Sequence, residues 1–278
     1  MKTCFTTVVS ADHYQNYIPP YCLALRTWSL DDIIIKVRGK LNPNCHQALK
    51  GIKDVFIYED FFTEYPVHIS TTNSLRFISD EMVFDYDYTM ITDIDLLILQ
   101  DPWKWHYKNI TKDHPFSCYH GARIKPIRPK ICKSWTGEFE RVAGGYFCAT
   151  REWFDATRFA RIKYGMALLD GRCGNYREND EVILGNIIKS SNMQVPADKF
   201  YPRDLRGIHL GDFKFNHRWL NMEKMKNLLT RKNIDLYLKL CKTPQWIDTV
   251  SLLHDSPLDT ILTRVLTHIR SRTGLENV

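Results

Sequence analysis

Along the first hundred positions the apolar residues fall into two alternating patterns. CFTTVVSA (4–11), DDIIIKV (31–37), DVFIYED (54–60) and YTMITDIDLLIL (88–99) are dense apolar runs of strand length, rich in β-branched residues. Such runs predict strands buried on both faces. Between them, IPPYCLALRTW (18–28), NPNCHQALKGI (42–52) and STTNSLRFISDEMVF (70–84) space their apolar residues at helical intervals. Pro19 and Pro20 suit the first turn of one of these helices, and serines and threonines offer caps for another. Strands alternating with helices predict an α/β domain with a mostly parallel sheet flanked by helices.

The pattern then lapses. Residues 101–137 are dense in Pro, Lys, Arg and aromatics with little periodicity, the character of a lid or binding loop. RVAGGYFCAT (141–150) resumes as a strand, while REWFDATRFARIKYGMALLD (151–170) and ENDEVILGNIIKSS (178–191) read as helices. GIHLGDFKFNHRW (207–219) reads as a loop carrying His and Lys. From about Asn221 the pattern is helical and closes on SPLDTILTRVLTHIRSRTG (256–274), amphipathic and basic. The expected division is a main domain over 1–220 and a helical C-terminal extension over 221–278. No internal repeat or low-complexity tract interrupts it.

One run breaks its own rule. Asp93 and Asp95 stand in the middle of YTMITDIDLLIL. Burying one bare carboxylate costs several kcal/mol, so two in a core strand need compensation. Residues i and i+2 of a strand share a face, and a frayed strand end lets the chain bend. A hard divalent cation such as Mg²⁺ or Mn²⁺ would then find two oxygen ligands. Asp95 would bind it directly, and Asp93 would reach a ribose or a metal-bound water. The alternative is a solvated strand end, which the flanking YTMIT and LLIL make less comfortable. Phosphatases of the haloacid-dehalogenase type also carry Asp-x-Asp at a strand end. Here Leu97 stands two residues past the pair, and the pair follows the fourth strand, which disfavours that reading.

Composition narrows the picture only a little. The 278 residues are 44% hydrophobic and 25% charged, ordinary for a globular protein with a sizeable core. A net charge of +6 favours anionic ligands, acidic glycans, anionic membranes or nucleic acid without choosing among them. The eight cysteines include no Cys-x-x-Cys, which argues for reduced, buried thiols over a zinc knuckle or disulfide framework. The amino-terminal residues lack a signal peptide's apolar core, and no run is long enough to span a membrane. The expected location is cytoplasmic, and the Asn109-Ile110-Thr111 sequon is expected to stay unmodified.

Several of these segments, in this order, resemble the nucleotide-sugar glycosyltransferases of the GT-A fold. The resemblance is strongest to family 8, which includes bacterial lipopolysaccharide galactosyltransferases and glycogenin. SADHYQNYIPPYCLALRTW resembles the first strand, nucleotide-binding turn and helix. Ala11 lies in that turn, with Asp12 and Tyr14 at the positions that hold base and ribose. HISTTNSLRF resembles the segment before the metal strand, with Arg76 where the family places an Arg that contacts the donor. YTMITDIDLLIL resembles the metal strand itself. VAGGYFCAT sits where the family has an Asn-Ala/Ser-Gly-Val strand, NDEVILGNII resembles the Asp-Gln start of the helix lining the sugar pocket, and HLGDFK resembles a late His-x-x-Gly-x-x-Lys segment. The resemblance spans roughly residues 3 to 219. The chain departs from the pattern at Ala143 (Asn in the family), at Glu181 (Gln), and in a His209–Lys214 segment one residue short.

The resemblance implies a GT-A catalytic domain that transfers a hexose from a nucleotide diphosphate sugar, UDP-linked, to a hydroxyl acceptor on a glycan or lipid-linked glycan. It implies Mn²⁺ or Mg²⁺ held by Asp93, Asp95 and His209, with Lys214 neutralising a donor phosphate. Asp180 and Glu181 would meet the sugar's hydroxyls and are the candidate acid–base groups. Gly144 and Gly145, and likewise Gly211, would let the donor approach the backbone. Retention of stereochemistry is favoured, since the leaving phosphate can take the acceptor's proton. Trp103, Trp105 and Tyr107 are read either as an acceptor platform or as core packing. The basic residues Arg123, Lys125, Arg128, Lys130 and Lys133 would cover the diphosphate or meet an anionic acceptor. The C-terminal helix, with Arg264, His268, Arg270 and Arg272, either packs on the body or rests peripherally on the inner face of a membrane. Three rivals stand beside this reading: a metal-dependent phosphohydrolase or nucleotidyltransferase, a non-catalytic nucleotide-sugar binder, and a transferase acting on modified DNA. No aromatic-interleaved motif supports nucleic-acid binding.

Overall fold

Strand β1 (Thr3–Ser10) shows why the apolar runs are continuous. Its successive side chains enter two separate cores: Phe5 and Val9 join one buried cluster, Cys4 and Val8 the other. A strand covered on both faces leaves no polar side, so period-two alternation vanishes from the sequence. The computed structural model describes residues 1–79, 82–118, 123–126, 138–141, 144–173, 179–193, 202–214, 229–254 and 256–273.

Within these residues a six-stranded sheet runs in the order β3-β2-β1-β4-β9-β6. Strands β2 (Asp32–Arg38), β3 (Val55–Tyr58) and β4 (Tyr88–Thr92) lie parallel to β1 and to one another in its pairings. β9 (Tyr146–Thr150) inserts antiparallel to β4, and β6 (Phe116–Cys118) antiparallel to β9. The sheet is therefore mostly parallel, as the alternating pattern predicts. A separate hairpin pairs β7 (Arg123–Pro126) with β8 (Glu138–Arg141).

One face of the sheet is covered by α2 (Ile18–Arg26) and by α8 (Arg231–Cys241), α9 (Pro244–Leu252) and α10 (Pro257–Thr273), whose apolar side chains join the cluster around Phe5. The other face carries α4 (Ile69–Ile78), α6 (Arg151–Leu169) and α7 (Asp180–Ser190). The C-terminal helices thus complete the main core. Short helices α1 (Ala11–Tyr14), α3 (Pro43–Leu49) and α5 (Trp103–Asn109) fill connections.

The structure departs from the sequence reading in three places. The run 88–99 is two strands: β4 stops at Thr92, and β5 (Leu96–Leu97) leaves the sheet to pair antiparallel with β10 (Ile208–His209). Gly207 makes that pairing feasible, because its φ of +66° with ψ of −147° is a combination essentially confined to glycine and a Cβ there would collide with the Leu97 carbonyl. Helix α4 ends at Ile78, short of residue 84; Arg161 donates from Nη1 to the Ile78 carbonyl at 2.8 Å and satisfies that helix end. The irregular stretch 101–137 holds α5, β6 and β7. There Trp103 packs on Phe5 (ring centroids 5.1 Å apart), stacks on Tyr107 (5.6 Å) and donates from Nε1 to Asp31 Oδ2 at 2.7 Å. Trp103 and Tyr107 therefore serve as core packing.

The free thiols of Cys4, Cys22, Cys45, Cys118, Cys148 and Cys173 are buried, and Cys241 is partly so. Among the described residues no helix is long and apolar enough to cross a membrane. On α10, Arg264 and Arg272 turn back to bond backbone carbonyls, and the His268 ring lies against Phe213.

Candidate functional site

The site forms at the carboxyl ends of β1 and β4, where an open α/β sheet builds its ligand crevice. After Thr92 the chain leaves the ladder, and the Asp93 amide turns to the Gly145 carbonyl at 3.3 Å. That bend takes Asp93 and Asp95 off the buried faces and aims them at a cavity of about 190 Å³. Tyr14, Arg76, Asp93, Asp95, Asp180 and His209 all line it.

The tertiary structure answers the charge problem with two cations, Arg76 and Lys214, and the imidazole of His209. Asp95, 9% exposed, accepts from Lys214 Nζ on Oδ2 at 2.9 Å, and its Oδ1 lies 3.2 Å from His209 Nε2. The β5–β10 pairing sets His209 opposite Leu96, beside Asp95, and the Leu210 amide donates to the Asp95 carbonyl at 2.7 Å. Arg76, 5% exposed, bonds Asp93 through Nη1 and donates from Nη2 to Asp180 Oδ2 at 2.6 Å.

Burial alone would raise the Asp95 pKa. The hydrogen bonds and charges of His209 and Lys214 outweigh it and hold this carboxyl well below the usual range. Burial likewise disfavours the His209 imidazolium, but hydrogen bonds to Asp212 and Asp95 raise its pKa to about 9. Lys214 is pushed up against its own burial by Asp95, and its ammonium sits 4.2 Å from the Tyr14 ring centroid and 4.9 Å from that of Tyr17.

Asp93, Asp95 and His209 each offer one ligand atom, all within 4.8 Å of one another. Two carboxylates and an imidazole suit Mn²⁺ and tolerate Mg²⁺. The second ring nitrogen of His209, Nδ1, lies 3.1 Å from Asp212 Oδ1, the outer partner that fixes a ligating imidazole's tautomer and direction. The space is kept open by glycines: a Cβ on Gly211 would stand 2.8 Å from Asp95 Oδ2 and 2.9 Å from His209 Nε2, and one on Gly145 would stand 2.9 Å from Asp93 Oδ2. A Cβ on Gly144 would meet the Phe77 ring at 2.5 Å and Arg76 Nη2 at 3.1 Å. The donor set and its cradle therefore fit a divalent ion.

The other expected site residues lie around this centre. Asp180 and Glu181 open α7, where the Asn179 side chain accepts from the Val182 amide at 3.2 Å. Ala11 is buried and Asp12 exposed on α1, and neither is among the residues lining the 190 Å³ cavity. Ala143 and the basic residues Arg128, Lys130 and Lys133 lie outside the described residues, as do the side chains of Arg123 and Lys125. Sequence reasoning missed Asp212 and Tyr17. An acid three residues after His209, inside the quoted HLGDFK, was the available signal for the first; Tyr17 had none.

No protein family's sequence profile matches the chain, and no curated protein matches it. Solved structures do. One is the galactosyltransferase LgtC in complex with donor and acceptor sugar analogs, at 15% identity and a TM-score of 0.42, covering 67% of this chain and 70% of that one. An active-site mutant of LgtC matches at 13% identity and a TM-score of 0.44, over 90% of this chain and all of that one, 100%. The glycosyltransferase GlyE of Streptococcus pneumoniae matches at 12% identity and a TM-score of 0.49, over 92% of this chain and 64% of that one. At these identities none of the resemblances carries a residue role to this chain.

Proposed function

We propose that this protein is a metal-dependent glycosyltransferase that moves a hexose from a nucleoside diphosphate sugar, UDP-linked, to a hydroxyl of a glycan or lipid-linked glycan. The observation that carries the reading is the convergence of Asp93, Asp95 and His209 within 4.8 Å at a strand end, with Lys214 and Arg76 at the same place. Breaking the sugar–phosphate bond leaves a diphosphate whose negative charge must be met as it develops. A bound Mn²⁺ or Mg²⁺ supplies Lewis-acid neutralisation of that charge.

This chain's own groups supply the rest. Lys214, on Asp95 at 2.9 Å, is within reach of a diphosphate lodged beside that carboxylate, and its ammonium follows the leaving charge. Arg76 fixes both Asp93 and Asp180, so the carboxylates that face ion and sugar are held by one rigid fork. Tyr14, which lines the cavity, would stack on the base, Asp12 would reach base or ribose from the end of β1, and Ala11 with the glycines Gly144 and Gly145 would admit the donor. Asp180, with Glu181 beside it, orients sugar hydroxyls. Retention, with the departing phosphate taking the acceptor's proton, is the course the family resemblance favours.

The test is a product assay. Purified protein with Mn²⁺ and a panel of nucleotide sugars, preceded by a thermal-shift screen, should be stabilised by a UDP-hexose and release UDP. Release of inorganic phosphate or pyrophosphate instead would favour the metal-dependent phosphohydrolase or nucleotidyltransferase, and stabilisation without turnover a binding protein.

A further inference from the structure

We propose that Arg264, on α10, is a positioning residue for the metal-ligand cluster: it holds in place the turn that carries His209 and Lys214. Its Nη1 donates to the Phe213 carbonyl at 3.0 Å and to the Lys214 carbonyl at 2.9 Å. These carbonyls close a 3₁₀ turn, Leu210–Phe213, capped by the Lys214 amide on the Gly211 carbonyl at 3.2 Å. A turn this short has little of its own to fix it, yet both ends carry site chemistry: His209 3.2 Å from Asp95 at one, Lys214 2.9 Å from Asp95 at the other.

The helix is placed to do this. Leu258, Ile261, Leu262, Val265 and Ile269 form its buried stripe and share one core cluster with Leu210 and Phe213. Phe213, 1% exposed, lies edge-on to His268 with ring centroids 5.8 Å apart. Arg264 leaves the helix beside that stripe. With Thr260 and Ile261 it also lines a second cavity of about 710 Å³, which Tyr14 and Lys214 line too. A side chain 50 residues downstream of Lys214 in sequence thus reaches the backbone beside the site.

The role as a support for the ion rests on the functional reading above; the holding of the turn does not, and two measurements separate them. Amide hydrogen exchange in Arg264→Ala should accelerate at residues 210–214 and leave the strands β1 and β4 protected. Mn²⁺ affinity, measured with the metal alone by titration calorimetry, should fall about tenfold, the scale of losing a partner behind a ligand. In a His209→Ala background the same substitution should cost almost nothing, because the effect passes through that ligand. Arg264→Lys, which keeps a charged donor, should recover part of the affinity, and it replaces the alanine variant if that one does not fold. Unchanged exchange at 210–214, or unchanged Mn²⁺ affinity, or equal losses with and without His209, would each overturn the proposal. Wild-type protein that binds no Mn²⁺ would overturn the functional reading and the metal role, while faster exchange at 210–214 would still establish Arg264 as the brace of the turn.

Discussion

Arg76 and Asp180 lie 104 residues apart in sequence, and Nη2 of one donates to Oδ2 of the other at 2.6 Å at the mouth of the site. The same guanidinium holds Asp93. One arginine thus joins the end of β4 to the start of α7. Its side chain is 4% exposed, against 29% for Asp93 and 15% for Asp180.

Removing that arginine strands two carboxylates beside each other. Arg76→Met should destabilise the fold by about 3–5 kcal/mol, the range for breaking a buried pair from one side. Chemical denaturation checks this. A loss under about 1 kcal/mol would place the contacts among solvent-screened ion pairs and remove Arg76 as the brace between Asp93 and Asp180.

Gly211→Ala tests the ion's space directly. The new methyl would stand 2.8 Å from Asp95 Oδ2 and 2.9 Å from His209 Nε2, filling the place a cation would occupy. Mn²⁺ affinity should fall by an order of magnitude or more; Gly211 needs no positive φ, so the backbone is not strained and any fall in melting temperature reports the displaced Asp95–His209 pair. Undiminished Mn²⁺ binding would mean that the ion, if bound, sits elsewhere.

Lys214→Ala should lower kcat by on the order of 10², the cost of losing one group that meets developing charge, with a smaller change in KM. The measurement is steady-state UDP release. A rise in KM at constant kcat would reassign Lys214 to ground-state binding.

His106 supplies a pH dependence remote from the metal-ligand cluster. It is 0% exposed, with Nδ1 3.1 Å from Ser117 Oγ, and burial pushes its pKa down to about 3. The unfolded chain titrates near 6.5. Between those values the unfolded state binds the extra proton, so the contribution is intact above pH 6.5 and is lost as pH falls through the window. The slope is at most about 1.4 kcal/mol per pH unit. Denaturation curves of wild type and His106→Gln should converge as pH drops from neutrality toward acid. Parallel curves would show that His106 titrates normally.

The sequence by itself determined the alternation of strands and helices over the first hundred residues and the acid pair Asp93 and Asp95 inside an apolar run; His209 and Lys214 became candidates only through the family resemblance. The first two are written in local spacing: β-branched runs, helical periodicity, and an acid pair where apolar residues are due. Only the tertiary structure decided that the run 88–99 breaks after Thr92 and sets Asp93 and Asp95 past a strand end, that Trp103 and Tyr107 go to the core, and that α10 belongs to the same core as Phe5. It alone also supplied the partners that make the acid pair tolerable: Arg76 joining Asp93 to Asp180, and Lys214 and His209 meeting on Asp95. The physical reason is range. Backbone propensity and side-chain period act over a few residues, whereas an ion pair couples whichever positions the packed helices bring within about 4 Å, and no local pattern encodes that meeting.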